Sequence, residues 1–287
     1  MTQIEVKIRN TQIRTKAENF VRNIEYFPKR EFDRFTIGPV LHETENSRVN
    51  IVFDNKENEF LILKELPPQM WYLASNEWRI LKKIAQIRRG KIRSPQAIYR
   101  TQTGFYMSLV DGEILERGAS VQETIDKIID LADQIRSLHR AKIVHRDIKP
   151  ANIRINGTKA ALIDFGISLD EEEEDPIKRG LIGTVEYMAP ERFIEQRNLE
   201  YPADMYALGV IMYELIEGRL PFDNPFWNVN DYSNAHKTQI PAKPNAQNSR
   251  LRALSNIIMK CLEKNPKNRF NSEDLPLAIE EELKKIK

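Results

Sequence analysis

The hydrophobic periodicity of the chain changes once, at Val110-Asp111-Gly112, and this change limits the fold more than any other feature. Before it, apolar and polar residues alternate in short segments, a pattern typical of β-strands. After it, apolar residues recur at the helical period of about 3.6 residues. The sequence therefore predicts an α+β fold with two lobes, a small antiparallel β-sheet lobe with one main helix and a larger, mainly α-helical lobe, and a ligand cleft between them.

The first lobe is predicted to contain an antiparallel meander, because polar turns such as Asp54-Asn55-Lys56 separate its apolar segments. The predicted strands lie near Thr36–His42, Arg48–Phe53, Glu59–Lys64, Ala97–Arg100 and Gly104–Val110. A helix over about Pro68–Ile87 is predicted after the third strand. In the second lobe, Met205–Ile216 predicts a buried core helix, since it is too short to cross a bilayer and Glu214 interrupts it.

Residues 1–33 are predicted to form an accessory segment, a strand followed by an amphipathic helix. Apolar residues alternate through Ile4, Val6 and Ile8 as they do in a strand. Apolar residues then follow helical spacing at Ala17, Phe20, Val21 and Ile24, before Pro28. Three interpretations stay open: the segment extends the small lobe, mediates dimerisation or docks a regulatory partner.

The composition argues against several classes of protein. The 287 residues carry 44 basic and 42 acidic side chains, a net charge of +2, so neither nucleic acid nor a membrane surface is an expected partner. The single cysteine and four scattered histidines offer no zinc-ligand spacing. The N-terminus lacks the apolar core of a secretion signal, and a cytoplasmic location is expected.

The segment Val144–Asn152 brings an aspartate, a lysine and an asparagine into one short loop, in which Pro150 prevents simple continuation of a helix. Phosphoryl transfer requires a carboxylate to accept the proton of the attacking hydroxyl, a cation for the phosphoryl charge and oxygen ligands for magnesium. Asp147, Lys149 and Asn152 can supply all three.

This loop resembles that of the eukaryotic-type (Hanks-type) serine/threonine protein kinases, which reads His-Arg-Asp, then Leu or Ile, then Lys-Pro-x-Asn. Lys149 favours the serine/threonine branch, because tyrosine kinases usually carry other residues there. The resemblance implies transfer of the γ-phosphoryl group of ATP to serine or threonine hydroxyls of protein substrates, with ATP and Mg²⁺ as cofactors. It covers a kinase domain at 34–275, with lobes at 34–110 and 111–275, and leaves a helical tail at 276–287.

A second segment, Ala161–Gly166, resembles the Asp-Phe-Gly motif of these kinases and lies at the expected distance from Asp147. By this resemblance, Asp164 would hold magnesium together with Asn152. Phe165 would pack in the core, and Gly166 would allow the chain to turn.

Lys64 and Glu77 are predicted to form an ion pair on grounds that do not need the family. Glu77 shares a helix face with Leu73, Leu81 and Ile84. A carboxylate among apolar groups needs a positive partner, and Lys64 at the end of an apolar strand needs a negative one. In kinases such a pair holds the α- and β-phosphates of ATP.

The loop that covers the phosphates departs from the family pattern Gly-x-Gly-x-x-Gly-x-Val. Reading back from Val49, the glycine positions carry His42, Thr44 and Ser47. We assign these residues, with Leu41 and Val49, to nucleotide binding. An alternative alignment with Gly38 as the first glycine leaves Val40-Leu41 unexplained. Loss of the glycines predicts a stiffer or more distant cover and weak ATP binding.

Met107–Glu113 resembles the kinase hinge, whose backbone binds adenine. Met107 is assigned to the position behind the adenine, and Leu109 to the adenine contact. Ser108 replaces the acidic residue usual at this point, but the backbone contacts do not depend on it.

Four further residues match positions of the family outside the two motifs. Thr184, which precedes an Ala-Pro-Glu ending, would bond Asp147 and Lys149. Glu191 would pair with Arg269, and Asp204 would brace the backbone of the catalytic loop from a buried helix.

The acidic run after Ser168 suggests a regulatory hypothesis. In many kinases a phosphate in this segment pairs with the arginine beside the catalytic aspartate. Here one of Glu171 to Asp175 could replace that phosphate against Arg146 and make the enzyme constitutively active; the alternative is a solvated loop with no partner.

Two other functions remain as alternatives. A pseudokinase, an ATP-binding or scaffold module, is supported by the missing glycines alone. A small-molecule kinase of the aminoglycoside phosphotransferase type shares the fold but usually lacks Lys149, the Ala-Pro-Glu ending and the aspartate of the central helix.

Overall fold

The computed structural model describes residues 8, 10–23, 34–87, 92–174, 183–194, 200–224 and 226–286 of the chain. The chain divides into two compact units: the first contains residues 1–90 and 94–113, and the second contains residues 91–93 and 114–287. The first unit holds an antiparallel sheet and the second is mainly helical, so the predicted α+β fold class is confirmed. None of the helices in these described ranges is long and apolar enough to cross a membrane.

The sheet of the first unit has five strands in the order β1-β2-β3-β5-β4, and all its neighbours are antiparallel. The strands are β1 (Phe35–Thr44), β2 (Ser47–Asp54), β3 (Glu59–Glu65), β4 (Ala97–Arg100) and β5 (Gly104–Ser108). The first three extend the predicted strands by one or two residues at one or both ends. The fifth ends two residues early, because Ser108 makes the last pair with β3.

Two helices belong to this unit, α1 (Thr11–Asn23) and α2 (Trp71–Gln86). The helix predicted from Pro68 is present, but its first three residues form a 3-10 turn, Pro68–Met70. The buried face of α2 includes Glu77, as the apolar spacing predicts.

Helix α1 packs onto the sheet. Ala17 and Phe20 are buried in a cluster with Ile51 and Phe53 of β2, and Ile8 joins the same cluster. The described part of residues 1–33 therefore extends the core of the sheet unit. The predicted strand through Ile4 and Val6, and the predicted helix end at Ile24 to Pro28, lie outside the described residues.

The second unit contains two small sheets and six helices among the described residues. A three-stranded sheet has the order β6-β8-β9, and a two-stranded sheet pairs β7 with β10. The strands are β6 (Glu113–Ile114, at the boundary between the units), β7 (Ile143–Val144), β8 (Ile153–Asn156), β9 (Lys159–Leu162) and β10 (Leu169–Asp170). The helices are α3 (Val121–Arg140), α4 (Glu200–Glu217), α5 (Val229–Thr238), α6 (Ser249–Ala253), α7 (Ser255–Cys261) and α8 (Asp274–Lys284).

Helix α4 is the predicted core helix, and its residues from Met205 to Met212 are all buried. Gly209 permits close contact with α7, because a Cβ there would lie 2.7 Å from the Cβ of Cys261. Helix α8 begins at Asp274, so the predicted tail boundary at 276 falls inside a helix. Leu275 and Ile279 of this helix are fully buried, so it contributes to the core of the second unit.

Candidate active site

The carboxylate of Asp147 is held by four donors. Its Oδ1 accepts hydrogen bonds from the backbone N of Thr184 at 3.1 Å and from Thr184 Oγ1 at 2.9 Å. Its Oδ2 accepts a hydrogen bond from Asn152 Nδ2 at 2.8 Å and lies 2.9 Å from Lys149 Nζ. The side chain of Asp147 is 14% exposed, so the carboxylate is fixed in direction yet open to a substrate.

Thr184 connects the two charged groups of this loop. Its hydroxyl accepts a hydrogen bond from Lys149 Nζ at 2.6 Å and donates its own proton to Asp147 Oδ1. One hydroxyl can fill both roles, because it is a donor and an acceptor. The predicted contacts of Thr184 with Asp147 and Lys149 are thus present.

Asp204 braces the backbone of the same loop from the interior of α4. Its carboxylate accepts hydrogen bonds from the backbone N of His145 at 2.8 Å and of Arg146 at 2.9 Å, and it contacts His139 Nε2 at 3.0 Å. Burial by itself raises the pKa of this carboxyl, but the bonds from His139 and His145 outweigh burial and place the pKa below its ordinary value. The predicted bracing contact is present.

His145 connects the catalytic loop to the segment that carries Asp164. Its Nδ1 accepts a hydrogen bond from the backbone N of Asp147 at 3.3 Å, so the ring proton lies on Nε2, which donates to the carbonyl of Ile163 at 3.1 Å. Ser168, which is fully buried, donates to the carbonyl of His145 at 3.1 Å. These bonds fix the residue that precedes Asp164.

Backbone strain is concentrated at two residues of this site. Arg146 has a φ of 69° and Asp164 a φ of 65°, and neither is glycine. Such a conformation costs roughly 1–3 kcal/mol and is typical of active sites, where surrounding contacts maintain it. Phe165, buried directly after Asp164, packs 4.9 Å from the ring of His145, and Gly166 is buried beside it.

The buried pair of Glu191 and Arg269 is present as predicted. The guanidinium donates from both terminal nitrogens, to Oε1 at 2.6 Å and to Oε2 at 2.8 Å. This bidentate geometry compensates both charges, which are almost completely buried.

In the first unit, Lys64 Nζ lies 2.7 Å from Glu77 Oε2. Both side chains are less than one tenth exposed, so each charge depends on the other for compensation. Helical spacing and strand alternation alone predicted this pair.

The glycine positions of the phosphate loop lie in a regular hairpin. His42 pairs with Val49 and Thr44 pairs with Ser47 across a two-residue turn. Thr44 Oγ1 accepts hydrogen bonds from the backbone N of Asn46 at 3.2 Å and of Ser47 at 3.1 Å. None of these residues has a positive φ, which explains why the hairpin forms without glycine.

Met107 and Leu109, which are assigned to adenine, and Leu41 of the proposed nucleotide cover have neighbours within the same unit. Met107 pairs with Ile62 in the sheet. Leu41 and Leu109 pack, half-buried, against the cluster that α1 completes. Part of each leucine side chain is therefore used in the core.

Two residues of the acidic run, Glu171 and Glu172, contact side chains other than that of Arg146. Glu172 lies 2.9 Å from Lys142 Nζ, and Glu171 accepts a hydrogen bond of 2.5 Å from the hydroxyl of Tyr201. Burial and this carboxylate together raise the pKa of Tyr201. Asp175 lies outside the described residues.

Comparison with known proteins agrees with this geometry. Residues 37–277 match the protein kinase domain family. The chain belongs to the protein kinase family. The predicted resemblance to Hanks-type serine/threonine kinases is confirmed, whereas the domain bounds of 34–275 remain a prediction.

Three relatives of the chain carry serine/threonine-protein kinase names. Protein R436 of Acanthamoeba polyphaga mimivirus, named as a candidate kinase of this class, is 38% identical over 50% of the chain and 51% of its own length. PknB of Mycobacterium tuberculosis is 32% identical over 58% of the chain and 28% of its own length. Pkn1 of Myxococcus xanthus is 34% identical over 62% of the chain and 26% of its own length. The matched part of the kinase spans about half of R436 and less than a third of the two bacterial proteins.

The oxygen atoms around Asp147 and Asn152 are of the kind that bind a magnesium ion. Both hydrogens of the Asn152 amide are directed at Asp147, to its carbonyl at 2.9 Å and to Oδ2 at 2.8 Å. The amide oxygen is then the atom of Asn152 that can bind a cation. Amide and carboxylate oxygens are ligands that magnesium prefers, and the family resemblance assigns the carboxylate to Asp164.

The sequence did not reveal the roles of Asn10 and Lys16, which connect α1 to distant parts of the sheet unit. Asn10 directly precedes the helix and Lys16 lies in its middle, and no local pattern separates either polar residue from solvated side chains. Gly38 was left without a role once it was not assigned to the phosphate loop, and in the structure a Cβ there would lie 2.8 Å from the ring of Phe20 in α1. The available signal was a glycine inside a strand, which indicates a bulge or a close approach.

Proposed function

We propose that the chain transfers the γ-phosphoryl group of Mg-ATP to serine or threonine hydroxyls of proteins. The observation that supports this best is the group formed by Asp147, Lys149, Asn152 and Thr184. It combines a proton acceptor, a cation and a magnesium ligand within hydrogen-bond distance of one another.

In the proposed reaction, Asp147 orients the substrate hydroxyl and accepts its proton. The hydroxyl oxygen forms a bond to the γ-phosphorus while the bond from that phosphorus to the β,γ-bridging oxygen breaks, and ADP leaves. Lys149 turns from Asp147 Oδ2 towards the transferred group and neutralises its charge, which frees Oδ2 for the proton. Thr184 keeps Oδ1 in place during this exchange.

Asn152 and Asp164 would hold magnesium, which neutralises phosphate charge when it is bound. In the first unit, Lys64, oriented by Glu77, would bind the α- and β-phosphates. The adenine contacts would come from Met107 and Leu109. The cover of the nucleotide would come from Leu41, His42, Thr44, Ser47 and Val49.

We also propose that the acidic run removes the need for phosphorylation in this segment. Ser168 is fully buried, and Thr184 is bonded to the catalytic group, so neither hydroxyl is available to another kinase without local opening. A carboxylate of Glu171 to Asp175 against Arg146 would supply the missing charge. Replacing Glu171 to Glu174 by glutamine should then lower the transfer rate, whereas the same change at Glu280, Glu281 and Glu282 of α8 should not. Equal rates in both variants would refute this part.

A regulatory partner or a second copy at residues 1–33 remains a proposal. The exposed positions of α1 among the described residues are Thr11, Gln12, Arg14, Thr15 and Asn19. All are polar, which favours a polar contact over an apolar helix interface.

The test is incorporation of labelled phosphate from γ-labelled ATP with magnesium, followed by identification of the phosphorylated amino acid. The proteins to compare are the wild type, Asp147→Ala, Lys64→Ala and the exposed control Asp223→Ala. We expect label on serine or threonine in the wild type and the control only. Label on tyrosine would refute the proposed specificity. No transfer by the wild type, and no thermal shift with ATP and magnesium, would indicate a pseudokinase.

A further inference from the structure

The start of α1 is tied to the last residues of the sheet unit. Asn10 Nδ2 donates to the carbonyl of Gly112 at 3.2 Å and to Glu113 Oε2 at 3.0 Å. The backbone N of Asn10 donates to Asp111 Oδ1 at 3.2 Å, and that of Thr11 donates to Glu113 Oε1 at 3.0 Å. These bonds immobilise the segment that directly follows the residues assigned to adenine.

The middle of α1 holds β1. Lys16 Nζ donates to the carbonyls of Val40 at 2.8 Å and Leu41 at 3.4 Å. The pairing of β1 with β2 shifts register on both sides of Val40, so this is the irregular part of the strand. The irregular backbone pairing with β2 does not hold this part of β1 firmly, and the charged donor Lys16 adds the missing restraint.

One turn later, the ring of Phe20 lies against the backbone of β1 at Gly38. A Cβ on Gly38 would lie 2.8 Å from two carbons of the Phe20 ring and 2.9 Å from the carbonyl of Ile51. Helix α1 therefore packs on β1 at Gly38. This packing accounts for a glycine at position 38 without a role in phosphate binding.

These contacts hold the β1–β2 hairpin at the end opposite its turn. Beyond Val40, β1 and β2 stay paired up to Thr44 and Ser47, with no glycine at which the hairpin could bend. The position of its tip is consequently set by the contacts at its base. A flexible loop could adjust to the phosphates by itself, whereas this hairpin depends on where its base is held.

We propose that α1 is a positioning element for the nucleotide, which fixes the β1–β2 hairpin through Lys16 and Phe20 and the hinge end through Asn10. The proposal rests on the proposed function, because it concerns the ATP site of that reaction. Residues 10–20 then act within the molecule. The helix places the β1–β2 hairpin over the phosphates of ATP, whereas a glycine-rich loop would reach this position through its own flexibility.

The test compares Lys16→Met and Asn10→Asp with the control Arg14→Met. Asn10→Asp keeps an oxygen for the cap of Ile13, whose backbone N donates to Asn10 Oδ1 at 2.9 Å, but removes the amide donor and sets a charge against Glu113. Arg14→Met removes a positive charge from the exposed face of the same helix. Each test variant should raise KM for ATP about tenfold and leave kcat within about twofold, since each loses at least one charge-assisted hydrogen bond. KM for a peptide substrate should not change.

Two further measurements separate positioning from loss of structure. The melting temperature checks that each variant is folded, and hydrogen exchange of the amides in residues 38–49 should become faster in the test variants only. An unchanged KM for ATP, or a change equal to that of Arg14→Met, would overturn the proposal. So would a fall in kcat that merely follows the melting temperature.

The dissociation constant of a fluorescent ATP analogue distinguishes failure of this proposal from failure of the proposed function. A wild type that binds the analogue but transfers no phosphate would refute kinase activity, and the affinities of the variants would then decide the role of α1. A wild type that binds no nucleotide would overturn both.

Discussion

Lys64 Nζ lies 2.7 Å from Glu77 Oε2 inside the sheet unit, and the Glu77 side chain is only 1% exposed. Removal of the lysine alone leaves a buried carboxylate without compensation. We predict that Lys64→Met lowers the free energy of unfolding by about 3–5 kcal/mol, and that Lys64→Met/Glu77→Leu recovers most of this loss. Urea denaturation measures both values. Neither variant should transfer phosphate, so a double variant that is stable and active would contradict the role of this pair.

Thr184 offers a test of the contacts around Asp147. Thr184→Val keeps the shape of the side chain but removes the hydroxyl that joins Lys149 to Asp147, and we predict a fall in kcat of about 100-fold from lost orientation. Thr184→Ser keeps the hydroxyl and should retain most of the rate. Steady-state kinetics at saturating ATP gives the comparison. Similar rates in the valine and serine variants would show that the hydroxyl has no such role.

The pH dependence of stability tests Asp204. Its pKa in the folded chain is below the ordinary value of 3.8, so its contribution is complete above that pH and is lost as the pH falls through the folded pKa. Asp204→Asn should therefore reduce the free energy of unfolding at pH 7, and the difference from the wild type should shrink as the pH falls below 3.8. Asp223→Asn, at an exposed position, is the matched control. A difference that does not depend on pH would contradict the assigned pKa shift.

Gly38 and Phe20 can be tested as a coupled pair. We predict that Gly38→Ala lowers the free energy of unfolding by about 1–3 kcal/mol, because the added methyl meets the Phe20 ring. In a Phe20→Leu variant, Gly38→Ala should lower the free energy of unfolding by less. The loss should not vanish, because the added methyl still meets the carbonyl of Ile51. A double-mutant cycle by denaturation measures the coupling, and additive effects would rule out the contact.

The features that sequence predicted well depend on short-range patterns or on a dense motif. Five strands follow from apolar alternation, and the Lys64–Glu77 pair follows from two buried charges of opposite sign. The loop at Asp147 was identified because several functional residue types occur within nine positions of the sequence.

The features that were missed depend on contacts distant along the chain. Asn10 meets Gly112, and Lys16 meets Val40, through polar groups that look solvated in the sequence. The burial of Leu275 and Ile279 was not predicted either, because it depends on the packing of α8 against other helices of the second unit. In the β1–β2 hairpin, the sequence shows that the glycines are absent, but it does not show that the Thr44 hydroxyl accepts the hydrogen bond that closes the turn.

The most direct test of the proposed kinase activity compares kcat for Mg-ATP-dependent phosphorylation of a protein substrate by the wild type and Asp147→Asn. Asparagine keeps the size of the side chain but cannot take the proton. We predict measurable transfer by the wild type and a kcat that is lower by a factor of about 10²–10⁴ in the variant, with a similar melting temperature. A variant that keeps more than a tenth of the wild-type rate, or a wild type that transfers no phosphate, would contradict it.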